Sequence, residues 1–262
     1  MYTRETYFSI LARTIQALES NYASQIISSG QSSFDSWLER SDYHAPYAHI
    51  SYYTLGTRVG LLLDLQIRAK SAGKLSLDDV FKKLYAEYFK QNKGLEEDAV
   101  QRAIENLTGQ SWKTFFDQYV NGTQRLNYAE YFGPFGLELE EKPLANLTWE
   151  LVGIEKHSKQ TEGLLIESVR PGTDAAMAGL GDDMLILKVN GKAFDNFDAA
   201  KFFEEFKKPK ELELEVASEA GLESVVVNWT GTWVPRSYTL AVSKTAKPEQ
   251  QALLEAWLKS RQ

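Results

Sequence analysis

The stretch ISYYTLGTRVGLLLDLQIR, residues 50–68, decides how this chain is read. Beyond Gly56 the residues Val59, Leu61, Leu62, Leu63, Leu65 and Ile67 are apolar nearly all round a helix, the pattern of a helix buried on most sides. Two tyrosines, Tyr52 and Tyr53, stand just ahead of it. A polar aromatic pair at the mouth of a buried helix either packs with its hydroxyls satisfied at the core edge or presents a phenol to a site.

Upstream, Phe8, Leu11, Ile15 and Leu18 recur at helical spacing and give the opening segment one apolar face. A looser run, Ser28 to Ser33, leads to Phe34 and Trp37, and Pro46 punctuates the approach to Tyr52. Downstream, Gly73 is expected to close the long helix. Ser76 with Asp79 reads as a capping box for a helix whose inner face carries Val80, Phe81, Leu84, Tyr85 and Tyr88. Leu95, Val100, Ile104 and Leu107 mark another helix, stopped by Gly109. Ser111 is placed to cap a short one bearing Trp112, Phe115, Phe116 and Tyr119.

After about residue 130 the period changes. Leu137 and Leu139, then Trp149, Val152 and Ile154, then Leu164, Ile166 and Val169 read as strands. Arg170 to Thr173 is a turn, and Ala175, Ala176 and Ala178 make a short helix closed by Gly179. Met184 to Val189 is a strand ending at the strong turn signal Asn190-Gly191. A helix is expected over residues 194–207, then strands at Leu212, Leu214, Val216 and at Val225, Val227. A last helix over 249–261 turns Leu253, Leu254 and Trp257 inward. The reading is an α+β multidomain chain: an all-α part at 1–129, a β-rich domain at 130–243 and a carboxy-terminal helix at 244–262.

Composition narrows the function classes. A chain of 262 residues with 43% hydrophobic and 25% charged residues can bury a sizeable core. The net charge of −7 argues against non-specific nucleic-acid binding, which needs a basic surface. No apolar run is long enough to span a bilayer, and the amino terminus shows no signal-peptide pattern. The absence of cysteine removes disulfides and thiolate metal sites, which fits a cytoplasmic protein and equally a cysteine-free periplasmic one.

Little in the chain supplies chemistry by itself. The three histidines are His44, His49 and His157, with no H-E-x-x-H. Pro46 between the first two argues against the helix that would align them on a metal. No G-x-S-x-G surrounds a serine and no glycine loop cradles a phosphate. No intrinsic metal site is expected.

Taken together, Ser32-Ser33-Phe34-Asp35, Trp37, ISYYTLG, the helix ending at Arg68, Ser76 to Val80, Phe116 to Thr123 and Phe135-Gly136-Leu137 resemble, in order and spacing, the glycyl aminopeptidase family of zinc metallopeptidases. Val169 to Ala176, Ala178-Gly179-Leu180 and residues 183–191 are similar to the bacterial PDZ domain that these enzymes carry. The resemblance implies that Tyr53 matches a catalytic tyrosine whose hydroxyl stabilises the tetrahedral intermediate, with Gly56 as its companion glycine. Leu55 stands where the family usually has lysine. It also implies a PDZ domain engaging peptide or protein substrate, with Phe135, Gly136 and Leu137 as the loop facing a peptide carboxylate, although Pro134 removes one donor there. Residues 198–207 are the helix expected to line that groove.

The family's zinc ligands and general-base glutamate have no counterpart here. The chain therefore reads as the carboxy-terminal portion of a zinc metalloaminopeptidase. It has no cofactor of its own, zinc in the parent enzyme, and a missing amino-terminal catalytic portion as its partner. By itself it is expected to be inactive. A natural zinc-less homologue and a non-enzymatic PDZ-type peptide-binding adaptor on a helical scaffold remain open alternatives.

Overall fold

The computed structural model describes residues 3–36, 50–204, 210–231 and 234–259. Seven helices come first: α1 (Arg4–Ser20), α2 (Ser29–Asp35), α3 (Tyr52–Lys70), α4 (Leu77–Glu87), α5 (Ala99–Thr108), α6 (Lys113–Phe115), which runs on into a π-helical turn over Phe116–Val120, and α7 (Tyr128–Phe132). Then follow β1 (Leu137–Pro143), β2 (Ile154–Lys159), β3 (Leu164–Val169), α8 (Asp174–Met177), β4 (Leu185–Val189), β5 (Lys192–Ala193), α9 (Ala199–Glu204), β6 (Lys210–Ser218), β7 (Gly221–Trp229), β8 (Arg236–Val242) and α10 (Pro248–Leu258). Helices thus precede a β-rich region and a closing helix, as the sequence pattern predicts.

The chain divides into two compact units, residues 1–141 with 238–262, and residues 142–237. The change of period near residue 130 marks where strands begin. The units part slightly later because β1 pairs with β8 and both ribbon strands contribute to the helical core through Leu137 and Leu240.

In the first unit the caps set the helix starts. Thr3 Oγ1 accepts the Thr6 N–H at 3.2 Å, Ser28 Oγ accepts the Gln31 N–H at 3.1 Å, and the Ser76 N–H donates to Asp79 Oδ2 at 2.9 Å. Phe8, Leu11, Ile15 and Leu18 of α1 are all buried, as their spacing requires. Leu62, Leu65 and Ile67 of α3 lie in the same core as α1 and the turn before β1. Its last turn is tied to the next helix by Asp64, which accepts from Arg68 Nε and from the Leu77 N–H, both at 2.9 Å.

Three expectations for this unit need correction. Phe81 and Tyr85 are 59% and 51% exposed. At 100° per residue the buried stripe of α4 runs through Val80 and Leu84, and 81 and 85 fall just beyond it. Leu95 is exposed and precedes α5. The strand β8 was not anticipated, although Tyr238, Leu240 and Val242 alternate.

The second unit holds a sheet with strand order β2-β3-β4-β6-β7, with β5 paired to β4. Every pairing in it is antiparallel. Register follows side-chain alternation: Leu212 faces Val227 and Leu214 faces Val225, all buried. Trp149, Ile154, Ile166, Ile186, Phe203 and Trp229 belong to the core. Residues Trp149–Leu151 form a 3₁₀ turn, so the strand expected through Trp149 and Val152 starts only at Ile154. The helix expected over 194–207 is a 3₁₀ turn at Phe194–Asn196 followed by α9; its residues 205–207 lie outside the described residues.

Candidate functional site

Tyr53 is in the first turn of α3, where Ser51 Oγ accepts its N–H at 3.3 Å. Position 55 points inward: Leu55 is fully buried with Leu18, Ala23 and Ile50. Two residues correspond to 200° of helix, so Tyr53 points the other way and is 71% exposed. Its ring lies 4.2 Å from that of Tyr52. The hydrogen bond to Tyr53 holds the Tyr52 phenol above its ordinary value.

An open groove of about 530 Å³ runs beside Tyr53 and is lined by Arg13, Thr14 and Ala17 of α1 and by Thr54 and Thr57 of α3. Gly56, one turn along, is exposed, and a side chain there would meet nothing within 4 Å. A helix-interior glycine costs about 1 kcal/mol relative to alanine, and nothing inside this unit compensates for it. Tyr53, Gly56 and Thr57 therefore form one unobstructed face, with a phenol able to donate a hydrogen bond.

Among the described residues no group of three His, Cys, Asp or Glu is placed to hold an ion. His44 and His49 lie outside the described residues. His157 is on β2, its Nε2 3.5 Å from Glu150 Oε1. That hydrogen bond, with one from the Thr148 N–H at 2.9 Å, draws the Glu150 carboxyl down to about 2.

The loop expected to cradle a peptide carboxylate is differently used. Phe135 and Leu137 are buried in the core of the first unit, and Phe135 packs on Trp257 of α10 with ring centroids 5.7 Å apart. Gly136 takes a φ of +62°, and a Cβ there would stand 2.7 Å from Ala246 Cβ. Its carbonyl accepts the Ser243 N–H at 2.8 Å. Phe135, Gly136 and Leu137 are thus a packed turn beneath α10 within the first unit. Pattern reading missed the reason, which is the return of the chain as β8 and α10. In the second unit β2 and β7 are the two ends of the sheet order; β2 is the strand that follows Gly153. Gly153 leads into it, so close to Thr173 that any Cβ would collide.

Residues 1–59 match the family profile of the M61 glycyl aminopeptidases, a span that includes α1, α2 and Tyr53. The chain is also similar along 99% of its length to the crystal structure of an aminopeptidase N family protein from Idiomarina loihiensis, at 22% identity and a TM-score of 0.74. It spans 45% of that protein's length. An HtrA3 PDZ domain bound to a phage-derived ligand matches 40% of this chain over 93% of its own length, at 16% identity and a TM-score of 0.25. A PDZ domain protein from Parabacteroides distasonis matches 44% of this chain over 23% of its own, at 13% identity and a TM-score of 0.23. Scores of that size carry no structural argument. A comparison with curated protein sequences found no match. No described helix is long and apolar enough to cross a membrane.

Proposed function

We propose that this chain forms one wall of an aminopeptidase active site and that Tyr53 is its catalytic residue. The observation that carries the reading is the exposed phenol on an unobstructed helix face, inside the segment that matches the family. Hydrolysis of a peptide bond builds negative charge on the carbonyl oxygen. A neutral phenol, fixed by its helix and facing that oxygen, stabilises the charge by donating a hydrogen bond. The buried position of Leu55 is consistent with this division of labour, since a side chain there serves the α1–α3 packing and leaves Tyr53 as the outward group.

The M61 family implies a zinc-dependent parent enzyme, but the described residues offer no set of ligands that fits the ion. Metal and general base are therefore assigned to a portion of the parent that would meet the Tyr53 face, and the chain alone is inactive. In an enzyme containing these residues, Tyr53→Phe lowers kcat by about 100- to 1000-fold, the loss of one oxyanion donor, with bound metal unchanged. An unchanged kcat removes Tyr53 from the mechanism.

For the second unit we propose substrate engagement at the edge of β2. An extended peptide adds there as a further strand, held by main-chain hydrogen bonds. The terminal place of β2 in the sheet order supports this, as does Gly153 at its entry. Titration with peptides ending in a free carboxylate tests it, read on the amides of β2. Shifts confined to α10 and the turn before β1 would instead return the site to Phe135, Gly136 and Leu137.

A further inference from the structure

Among the cavities of the first unit, one of about 200 Å³ lies between the carboxy-terminal turns of α3, the π-helical segment and α7. It is too small for a drug-sized ligand, whose pockets begin at about 300 Å³, and larger than the roughly 30 Å³ share of one water. Its lining is amphoteric. Lys70 and Glu130 both face it, and among the described residues neither forms an ion pair. The Lys70 ammonium is held by Gln110 Oε1 at 3.0 Å and lies 5.9 Å from the centre of the Trp112 ring. Glu130 Oε1 accepts from the Asn127 amide at 3.1 Å, which leaves its charge uncompensated.

Gln66 lines the same cavity, and its Oε1 is buried with no hydrogen-bond partner among the described residues. A buried amide oxygen left unpaired is costly, on the order of 1–3 kcal/mol, so a donor belongs there. Phe115, Tyr119 and Tyr131 complete the wall, with Phe115 and Tyr131 buried. The Tyr119 and Tyr131 rings meet edge to face at 6.2 Å. Tyr119 is carried by the π-helical turn, a widened geometry that recurs at functional sites.

We propose that this cavity binds a small free α-amino acid as a zwitterion. Lys70 takes the carboxylate, Glu130 and the Gln66 oxygen take the ammonium, and the aromatic wall accommodates a short side chain. A simple cation would leave Lys70 unpaired, and a simple anion would leave Glu130 and Gln66 unpaired. The site is separate from the Tyr53 groove and shares no lining residue with it.

The test is titration of the chain with glycine and L-alanine, following the Trp112 indole N–H resonance, assigned through Trp112→Phe. Glycinamide, without the carboxylate, and N-acetylglycine, without the ammonium, serve as controls. Saturable shifts with the zwitterions are expected, weakened at least about tenfold by either analogue. Lys70→Met and Glu130→Gln change exposed side chains and keep the fold, checked by circular dichroism. Each is expected to weaken binding about tenfold or more. No saturable shift up to about 50 mM, binding of glycinamide or N-acetylglycine as tight as that of glycine, or full binding by both variants overturns the proposal.

Discussion

Tyr53 and Gly56 stand one turn apart on the outer face of α3, and their substitutions separate stability from function. Tyr53→Phe removes only an exposed hydroxyl, so the folding free energy of this chain changes by less than about 0.5 kcal/mol. Gly56→Ala adds a methyl where nothing lies within 4 Å. It raises helix stability by about 0.5–1 kcal/mol, seen as a higher urea midpoint at unchanged slope. If the Tyr53 face meets the rest of an enzyme, the same alanine lowers the activity of that enzyme while stabilising this unit. A substitution that stabilises without touching activity would show that the face stays solvated. Tyr53 becomes a candidate through the motif that carries the family resemblance, and the structure adds that it is exposed. The inward Leu55 could be read only from the packing of Leu18, Ala23 and Ile50 around it.

Among the elements, the turn before β1 and the start of β2 yield the clearest tests. Gly136 combines a left-handed backbone with a contact that no side chain can share, so Gly136→Ala costs about 2 kcal/mol or more. Gly109→Ala is the control, having a similar φ with open space around it, and costs less. In the second unit the lowered Glu150 value means that the fold favours the carboxylate. Its contribution is complete above the ordinary carboxyl value of 4.5 and is lost as the pH falls toward 2. The advantage of the native chain over Glu150→Gln should therefore shrink between those pH values in urea titrations. Helical periodicity made α1 and α3 legible, as alternation did for β3, β6 and β7. Phe81 and Tyr85 misled because an aromatic beside a buried stripe looks like part of it. The 3₁₀ turn at Trp149–Leu151 hid because Trp149, Val152 and Ile154 are apolar residue types that suit a strand. The fate of Phe135, Gly136 and Leu137 depended on β8 and α10, which return more than a hundred residues later.

At the scale of the molecule the chain is two units, each with its own core. The ends of the second are tied together: the Leu144 N–H donates to the Pro235 carbonyl at 2.9 Å, and Ser237 Oγ donates to the Lys142 carbonyl at 3.3 Å. Residues 142–237 alone are accordingly expected to fold, giving a dispersed amide spectrum and one cooperative transition; a collapsed spectrum would contradict this. The change of period in the sequence separated helices from strands, and the family resemblance added the expectation of an incomplete catalytic apparatus. The assignment of Tyr53 as half of a mechanism rests on that incompleteness. The measurement that tests it most directly is zinc content and aminopeptidase turnover of this chain, after incubation with zinc and removal of the excess. The account predicts neither retained zinc nor release of amino-terminal residues. One zinc per chain with turnover would contradict it.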